Sequence, residues 1–271
     1  MSRLERSSLS VLGLVAVSGA LALGGCRAHT QERPVAVSPR AATFTVDGQV
    51  ALHSLMALSD AHLQKLADDM RLLAATDAAR SADWERIRTP LTAAARMNVP
   101  AVNWFALPDG SYWSVQESRE AGNLSDRPYW PGLLAGQTVV GDLVISRATG
   151  RNTAIVAVPV RGDENAVVGV LGASVHLDSL SARIKQEMDL EPNHLFYSLD
   201  TEPLVGLHID PETIFLHPLE EGDPDVDRAM QEILSHEEGF VSYTFRGKRR
   251  DVLYSKSPVT GWWYAFGVVQ Q

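Results

Sequence analysis

Residues 138–177 read TVVGDLVISRATGRNTAIVAVPVRGDENAVVGVLGASVHL, and this stretch decides the fold. Three runs rich in Val, Ile, Thr and Ala have strand length: Thr138 to Ser146, Thr153 to Val160 and Ala166 to Leu177. Ala148-Thr149-Gly150-Arg151 and Arg161-Gly162-Asp163-Glu164-Asn165 separate them with turn residues. Connections this short join antiparallel neighbours, because a parallel crossover needs a dozen residues or more. The stretch is therefore a three-stranded antiparallel meander. Just upstream, Val102-Asn-Trp104-Phe105-Ala-Leu107 and Ser111-Tyr-Trp113-Ser-Val115 flank Pro108-Asp109-Gly110, a hairpin signature. A polar loop from Gln116 to Asp126 and a short helical piece from Pro131 to Leu134 connect hairpin and meander.

Helical patterns lie before this block. From Asp47, Leu52, Met56, Leu63, Leu66, Met70 and Leu73 recur in steps of three and four, with Ser59 filling the gap, which predicts a long helix with one apolar face. The sequence around Asp77 and Ala78 interrupts it, and a second helix is expected from about Ser81 to Met97. After the meander a helix runs from about Asp178 to Met188, and then the order restarts. His194 to Leu199 and Leu204 to Leu207 form a hairpin around Asp200 to Pro203, and a helix spans about Asp225 to His236. Gly239 to Phe245, Arg250 to Tyr254 and Trp262 to Val269 are the last strands. Strand pair, helix and three strands thus occur twice, a repeat of architecture with little shared sequence. The fold class is α+β, with antiparallel sheets and helices on one side.

The start is of another kind. Arg3 and Arg6 form a basic n-region, an apolar run extends from Leu9 to Leu23, and Leu23-Gly24-Gly25-Cys26 follows. A basic start, a short apolar core and small residues before a cut site describe a secretory signal. The run is shorter than the roughly 20 apolar residues that span a bilayer core. Cys26, the only cysteine, resembles the modified residue of the bacterial lipobox. That resemblance implies cleavage after residue 25, acylation of Cys26 and tethering outside the cytoplasm; the alternative is an ordinary signal peptide with a chance cysteine. Residues 27–42, with Pro34 and Pro39 and no periodicity, read as a flexible tether. The expected organisation is a signal over 1–25, a lipidated tether over 26–43, a first module over 44–188 and a second over 189–271.

Composition narrows the function classes. A single cysteine allows no intrachain disulfide, so stability rests on packing. The net charge of −9, with no basic stripe, argues against nucleic acid and against anionic headgroups as main partners. No later run approaches 20 apolar residues, so Cys26 is the only expected membrane attachment.

Several blocks together resemble the double Cache (PDC) sensor domain. Leu124-Ser-Asp126-Arg127-Pro128-Tyr129-Trp130, then Gly141 to Arg151, Ala157-Val-Pro159-Val and Val168-Gly169-Val-Leu-Gly172-Ala-Ser-Val look like its membrane-distal module. Glu238-Gly239-Phe240-Val and Thr260-Gly261-Trp262-Trp263 look like the membrane-proximal one. The resemblance covers about Thr43 to Val269. It implies two PAS-like sheets stacked along one long N-terminal helix, and recognition of a small extracytoplasmic ligand in the distal module. Family members serve as input domains of chemoreceptors, histidine kinases and cyclases, entered from one transmembrane helix and left through another; neither is expected here. Output then needs a partner such as a membrane receptor or kinase. In bacterial lipoproteins an Asp after the modified cysteine favours inner-membrane retention; Arg27 leans toward the outer membrane.

The same resemblance suggests the site. The residue matching Arg127 contacts a ligand carboxylate in the family, and a planar guanidinium fork suits a carboxylate or phosphate. Its alternative is a surface pair with Asp126. Tyr129 and Trp130 stand where the amino-acid-binding branch has Trp then Tyr, and serve as pocket wall or core. Strand alternation places Val144 with Ser146, and Gly172, Ser174 and His176 together. In the amino-acid branch, acids at the positions of Ser146 and Ser174 hold the ligand ammonium. Both are absent here, and an unpaired buried ammonium is costly, so an anionic or neutral polar ligand, a small carboxylate above all, is expected. Trp104 and Trp113 complete the pocket or belong to the core, and His176 adds a pH-dependent donor or a structural hydrogen bond.

Other chemistry fits less well. Gly172-Ala-Ser174-Val-His176 lacks the final glycine of a nucleophile elbow and reads as strand, so a serine hydrolase using Ser174 and His176 is the weakest alternative. His208, Asp210 and His217 are metal-capable but fit neither a strand pair nor an i, i+4 helical pair, which leaves only a loop site; the acid-rich stretch from Glu220 to Asp227, at most a weak calcium binder, lacks an EF-hand glycine and closing glutamate. That stretch suits the positive end of the helix near Asp225. No phosphate-cradling glycine loop is present, and no cofactor, metal or catalysis is expected. A docking protein with a degenerate pocket is the runner-up.

Overall fold

The computed structural model describes residues 47–116 and 120–270. Cys26 and the tether lie outside the described residues. The long helix is α1 (Gly48–Ala74), opened by the Asp47 carboxylate accepting from the Gln49 amide. At 1.5 Å per residue it is about 40 Å long. Its buried face is Leu52, Leu55, Ser59, Leu63, Leu66 and Met70; Leu55 takes the place expected for Met56, which is half-buried with Leu73. The expected second helix is divided. Thr76 caps a single turn, α2 (Asp77–Arg80), and Asp83 caps α3 (Trp84–Ala95), with Ala82 between them in the left-handed region at φ 52°.

The first sheet contains β1 (Ala101–Ala106), β2 (Ser111–Ser114), β3 (Glu120–Asn123), β4 (Val139–Ile145), β5 (Asn152–Arg161) and β6 (Val167–His176). Helix α4 (Trp130–Leu134) precedes β4, and α5 (Leu177–Met188) follows β6. The second sheet contains β7 (His194–Leu199), β8 (Val205–His208), β9 (Glu238–Phe245), β10 (Lys248–Lys256) and β11 (Trp263–Val269), with α6 (Pro224–Ser235) before β9. The strand orders are β3-β2-β1-β6-β5-β4 and β8-β7-β11-β10-β9, antiparallel throughout. Without β3 the two orders are the same, so the repeat seen in the sequence is a repeat of topology. Strand β3 corrects the expected loop from Gln116 to Asp126. Its Glu-Ala-Gly-Asn sequence has no β-branched or aromatic residue; pairing to β2 at the sheet edge makes it a strand.

Helix α1 packs against both sheets. One apolar core runs along it, joining Val156, Val158 and Leu171 of the first sheet to Phe196, Tyr264 and Phe266 of the second. The opposite face of each sheet has its own cluster. Trp104, Tyr112, Tyr129 and Trp130 pack with Leu133 of α4 on the first; Tyr197, Tyr243 and Phe245 pack with Val226 and Met230 of α6 on the second. A strand covered on both faces loses polar alternation, which explains the Ala154-Ile-Val-Ala-Val158 run of β5. Several polar links join the modules, among them Asn152 to the Ile214 carbonyl and the His208 amide to Ser181. Buried Asp60 of α1 accepts from Ser257 Oγ at 2.7 Å and Tyr264 Oη at 3.1 Å, and Trp262 Nε1 donates to the Gly141 carbonyl at 3.1 Å. Burial pushes the Asp60 carboxyl up, while the two hydroxyls oppose this.

One buried histidine makes the fold acid-sensitive. Burial lowers the pKa of His208 from 6.5 to about 4. Below 6.5 the unfolded chain takes up a proton at this residue that the folded chain refuses. Stability is therefore complete above about pH 6.5 and falls as pH drops from there toward 4, by about 2 kcal/mol at pH 5. Urea midpoints at pH 7.5 and 5.0 measure the loss, and His208→Asn, which keeps an acceptor for the Asp210 amide, is expected to flatten it. An unchanged slope in that variant would assign the acid sensitivity elsewhere.

Candidate functional site

A cavity of about 20 Å³ lies on the face of the first sheet turned away from α1. Five residues singled out in the sequence line it: Trp104 from β1, Arg127 and Tyr129 from the segment before α4, Ser146 just after β4, and Ser174 from β6. Strand register accounts for the sheet residues. Ser174 faces Val102 across the β1–β6 pair, and Trp104 faces Gly172. The indole lies over Gly172, where a side chain would enter the ring. Its Nε1 donates to Ser174 Oγ at 3.3 Å, and Ser146 Oγ accepts from the Thr149 amide at 3.3 Å.

Arg127 is the charged group of interest. Its backbone is set by a turn in which the Arg127 amide donates to the Leu124 carbonyl at 3.0 Å. Nη2 donates to the Ile145 carbonyl at 3.0 Å, and Nε is buried without a partner. Asp126 does not neutralise it. That carboxylate pairs with Arg147 at 2.5 Å, and this hydrogen bond is the main cause of its lowered pKa. Burial raises the Tyr129 phenol to about 12, against the opposing charge of Arg127, so it stays protonated at neutral pH. No Asp or Glu lines the cavity. The site is thus a small, positive, donor-rich space walled by aromatic rings.

No family model matches the chain, and no curated protein matches its sequence. Solved structures match its shape. The ligand-binding domain of the Pseudomonas aeruginosa PAO1 amino acid chemoreceptor PctB, in complex with L-Arg, superposes with a TM-score of 0.63 at 16% identity, over 82% of this chain and 95% of that one. The ligand-binding domain of the Pseudomonas fluorescens chemoreceptor CtaA, in complex with L-isoleucine, gives 0.63 at 17%, over 82% and 89%. The extracellular domain of rpHK1S-Z16, assigned as a histidine kinase, gives 0.68 at 14%, over 82% and 92%. The fold is that of a chemoreceptor ligand-binding domain.

Within this ligand-binding-domain fold the other sequence candidates sit elsewhere. Trp113 lies directly opposite Phe105 on the face toward α1 and stacks on Trp84 of α3 at 6.5 Å. It does not line the cavity, because it has the opposite parity to Trp104. Trp130 is buried in the cluster under α4, with its Nε1 unpartnered, but is not a cavity wall. His176 ends β6 with Nδ1 2.9 Å from Arg151 Nη1, and Arg151 in turn pairs with Asp178. Burial and the Arg151 charge lower its pKa. The elbow-like segment holds Ser174 inside β6 as the acceptor of an indole N–H, and His176 is bonded to Arg151 instead of to Ser174.

The sequence reading missed Tyr112 and Arg147, both cavity walls. Tyr112 was legible. Pairing centred on Pro108-Asp109-Gly110 sets Trp104 opposite Ser114 and Ala106 opposite Tyr112, so Tyr112 shares the face of Trp104. Arg147 was not, because β4 ends at Ile145 and the turn redirects the next side chains. His208, Asp210 and His217 do not converge, and among the described residues no group of three metal-capable side chains does. Also among the described residues, no helix is long and apolar enough to cross a membrane.

Proposed function

We propose that this chain is an extracytoplasmic sensor, anchored by lipid at Cys26, that binds a small anionic or neutral polar molecule and performs no catalysis. The site is the cavity of the first sheet, taken as the membrane-distal module. One observation carries the reading: the buried, unpartnered Arg127 Nε beside an acid-free cavity. A carboxylate accepts from a guanidinium through two parallel hydrogen bonds, and Arg127 has one nitrogen free and another held only by a backbone carbonyl. The amino acid ligands in the titles of the PctB and CtaA structures belong to those proteins. Here an ammonium would find no counter-charge among the cavity walls, which favours a carboxylic acid lacking an amine. Exposed Arg147 and Ala148 mark the way in. Signalling passes to a membrane receptor or kinase, and the Arg27 position favours the outer membrane for the anchor.

The small volume favours a second reading. A cavity of about 20 Å³ holds roughly one water, as a degenerate pocket on a docking protein would. A thermal-shift screen of small organic acids and amino acids separates the two. The sensor reading expects an acid that raises the midpoint, with Arg127→Ala weakening it at least about tenfold. Shifts by no compound, or shifts that Arg127→Ala leaves intact, would favour docking.

A further inference from the structure

The second sheet carries a cavity where the repeated topology puts the first one: on the face away from α1, beside the helix that joins the hairpin to the last three strands. It encloses about 30 Å³, room for roughly two waters. Leu199, Val205, Met230 and Phe245 make its apolar walls. Three donors border it. His208 is 4% exposed, and its Nδ1 lies 2.9 Å from both the amide nitrogen and the carbonyl oxygen of Asp210. An amide N–H can only donate, so Nδ1 accepts and the ring proton sits on Nε2, which is buried without a partner. Arg250 lies over the Phe245 ring at 4.4 Å, its Nε also buried without a partner. Tyr243 donates to Tyr197 at 3.2 Å, leaving the Tyr197 proton for another acceptor. No Asp or Glu lines the cavity.

Buried donors without acceptors are rare and costly, and here they border one space. We infer that the second sheet holds its own binding site for a small monocarboxylate with a short apolar chain. The carboxylate accepts from His208 Nε2 and Arg250 Nε, and the chain packs on Phe245 and Met230. Among the cavity walls, Leu216 and Arg250 are half-buried where the others are buried, and they mark the opening. The site is separate from that of Arg127 and stands or falls without it.

Calorimetric titration of the full chain with sodium propionate and sodium isobutyrate at pH 7 tests the inference. Saturable binding of at least one acid is expected, weakened at least about tenfold by Arg250→Gln. The ¹⁵N resonance of His208 Nε2 should move along the same isotherm in the wild-type protein, a readout that survives if the Arg250 variant misfolds. No saturable binding of either acid, binding that Arg250→Gln leaves intact, or a static His208 resonance would each overturn it.

Discussion

Trp262→Ala is expected to cost about 3–5 kcal/mol of unfolding free energy, the range for emptying a buried aromatic site. Trp262 is 2% exposed and belongs to the core that runs along α1. It is also a bridge. The indole Nε1 donates to the Gly141 carbonyl of the first sheet, and its ring packs beside Tyr264 at 6.1 Å. Gly141, at φ 103°, holds a backbone conformation that favours glycine, and a side chain there would crowd Thr260 at 3.1 Å. Truncation therefore leaves a cavity and an unpaired carbonyl at the joint between the two sheets. The midpoint should fall by roughly 10 °C for a chain of this size. Trp262→Phe, which keeps most of the volume but not the N–H, should lose less than half as much. Equal losses in the two variants would mean that the hydrogen bond, and not the packing, holds the joint.

Gly172→Ala is expected to cost about 3 kcal/mol, more than a methyl group usually does. The added carbon would enter the ring of Trp104, and that ring is 2% exposed with no free volume to retreat into except the cavity. The same change should abolish ligand-induced shifts, since the displaced indole fills the space beside Arg127. Trp104→Leu removes the ring that clashes. Combined with Gly172→Ala it should lose at least about 1 kcal/mol less than the sum of the single variants, a coupling expected of residues in contact. Strict additivity in urea unfolding would show that the Trp104 ring does not lie on Gly172.

Much of this arrangement was legible before the structure. The strand runs and their turns placed ten of the eleven strands, and their order exposed the repeat, because short turns permit only antiparallel neighbours. Strand β3 escaped because edge pairing, not side-chain preference, makes it. Five of eight site candidates share one cavity, since strand parity and the segment before α4 bring them there. Trp113 does not, though counting outward from Pro108-Asp109-Gly110 would have set it on the other face. Asp60 was invisible: its partners Ser257 and Tyr264 lie about two hundred residues away. The cavity of the second sheet was equally hidden, because its donors come from β7, β8 and β10 and no local pattern joins them.

The central claim is that Arg127 holds the ligand, and a crystal structure grown with the organic acid of largest thermal shift tests it most directly. The account expects the acid in the first-sheet cavity, with a carboxylate oxygen about 2.8 Å from Arg127 Nε. The same acid bound away from Arg127, with Nε still unpartnered and Nη2 still on the Ile145 carbonyl, would contradict it.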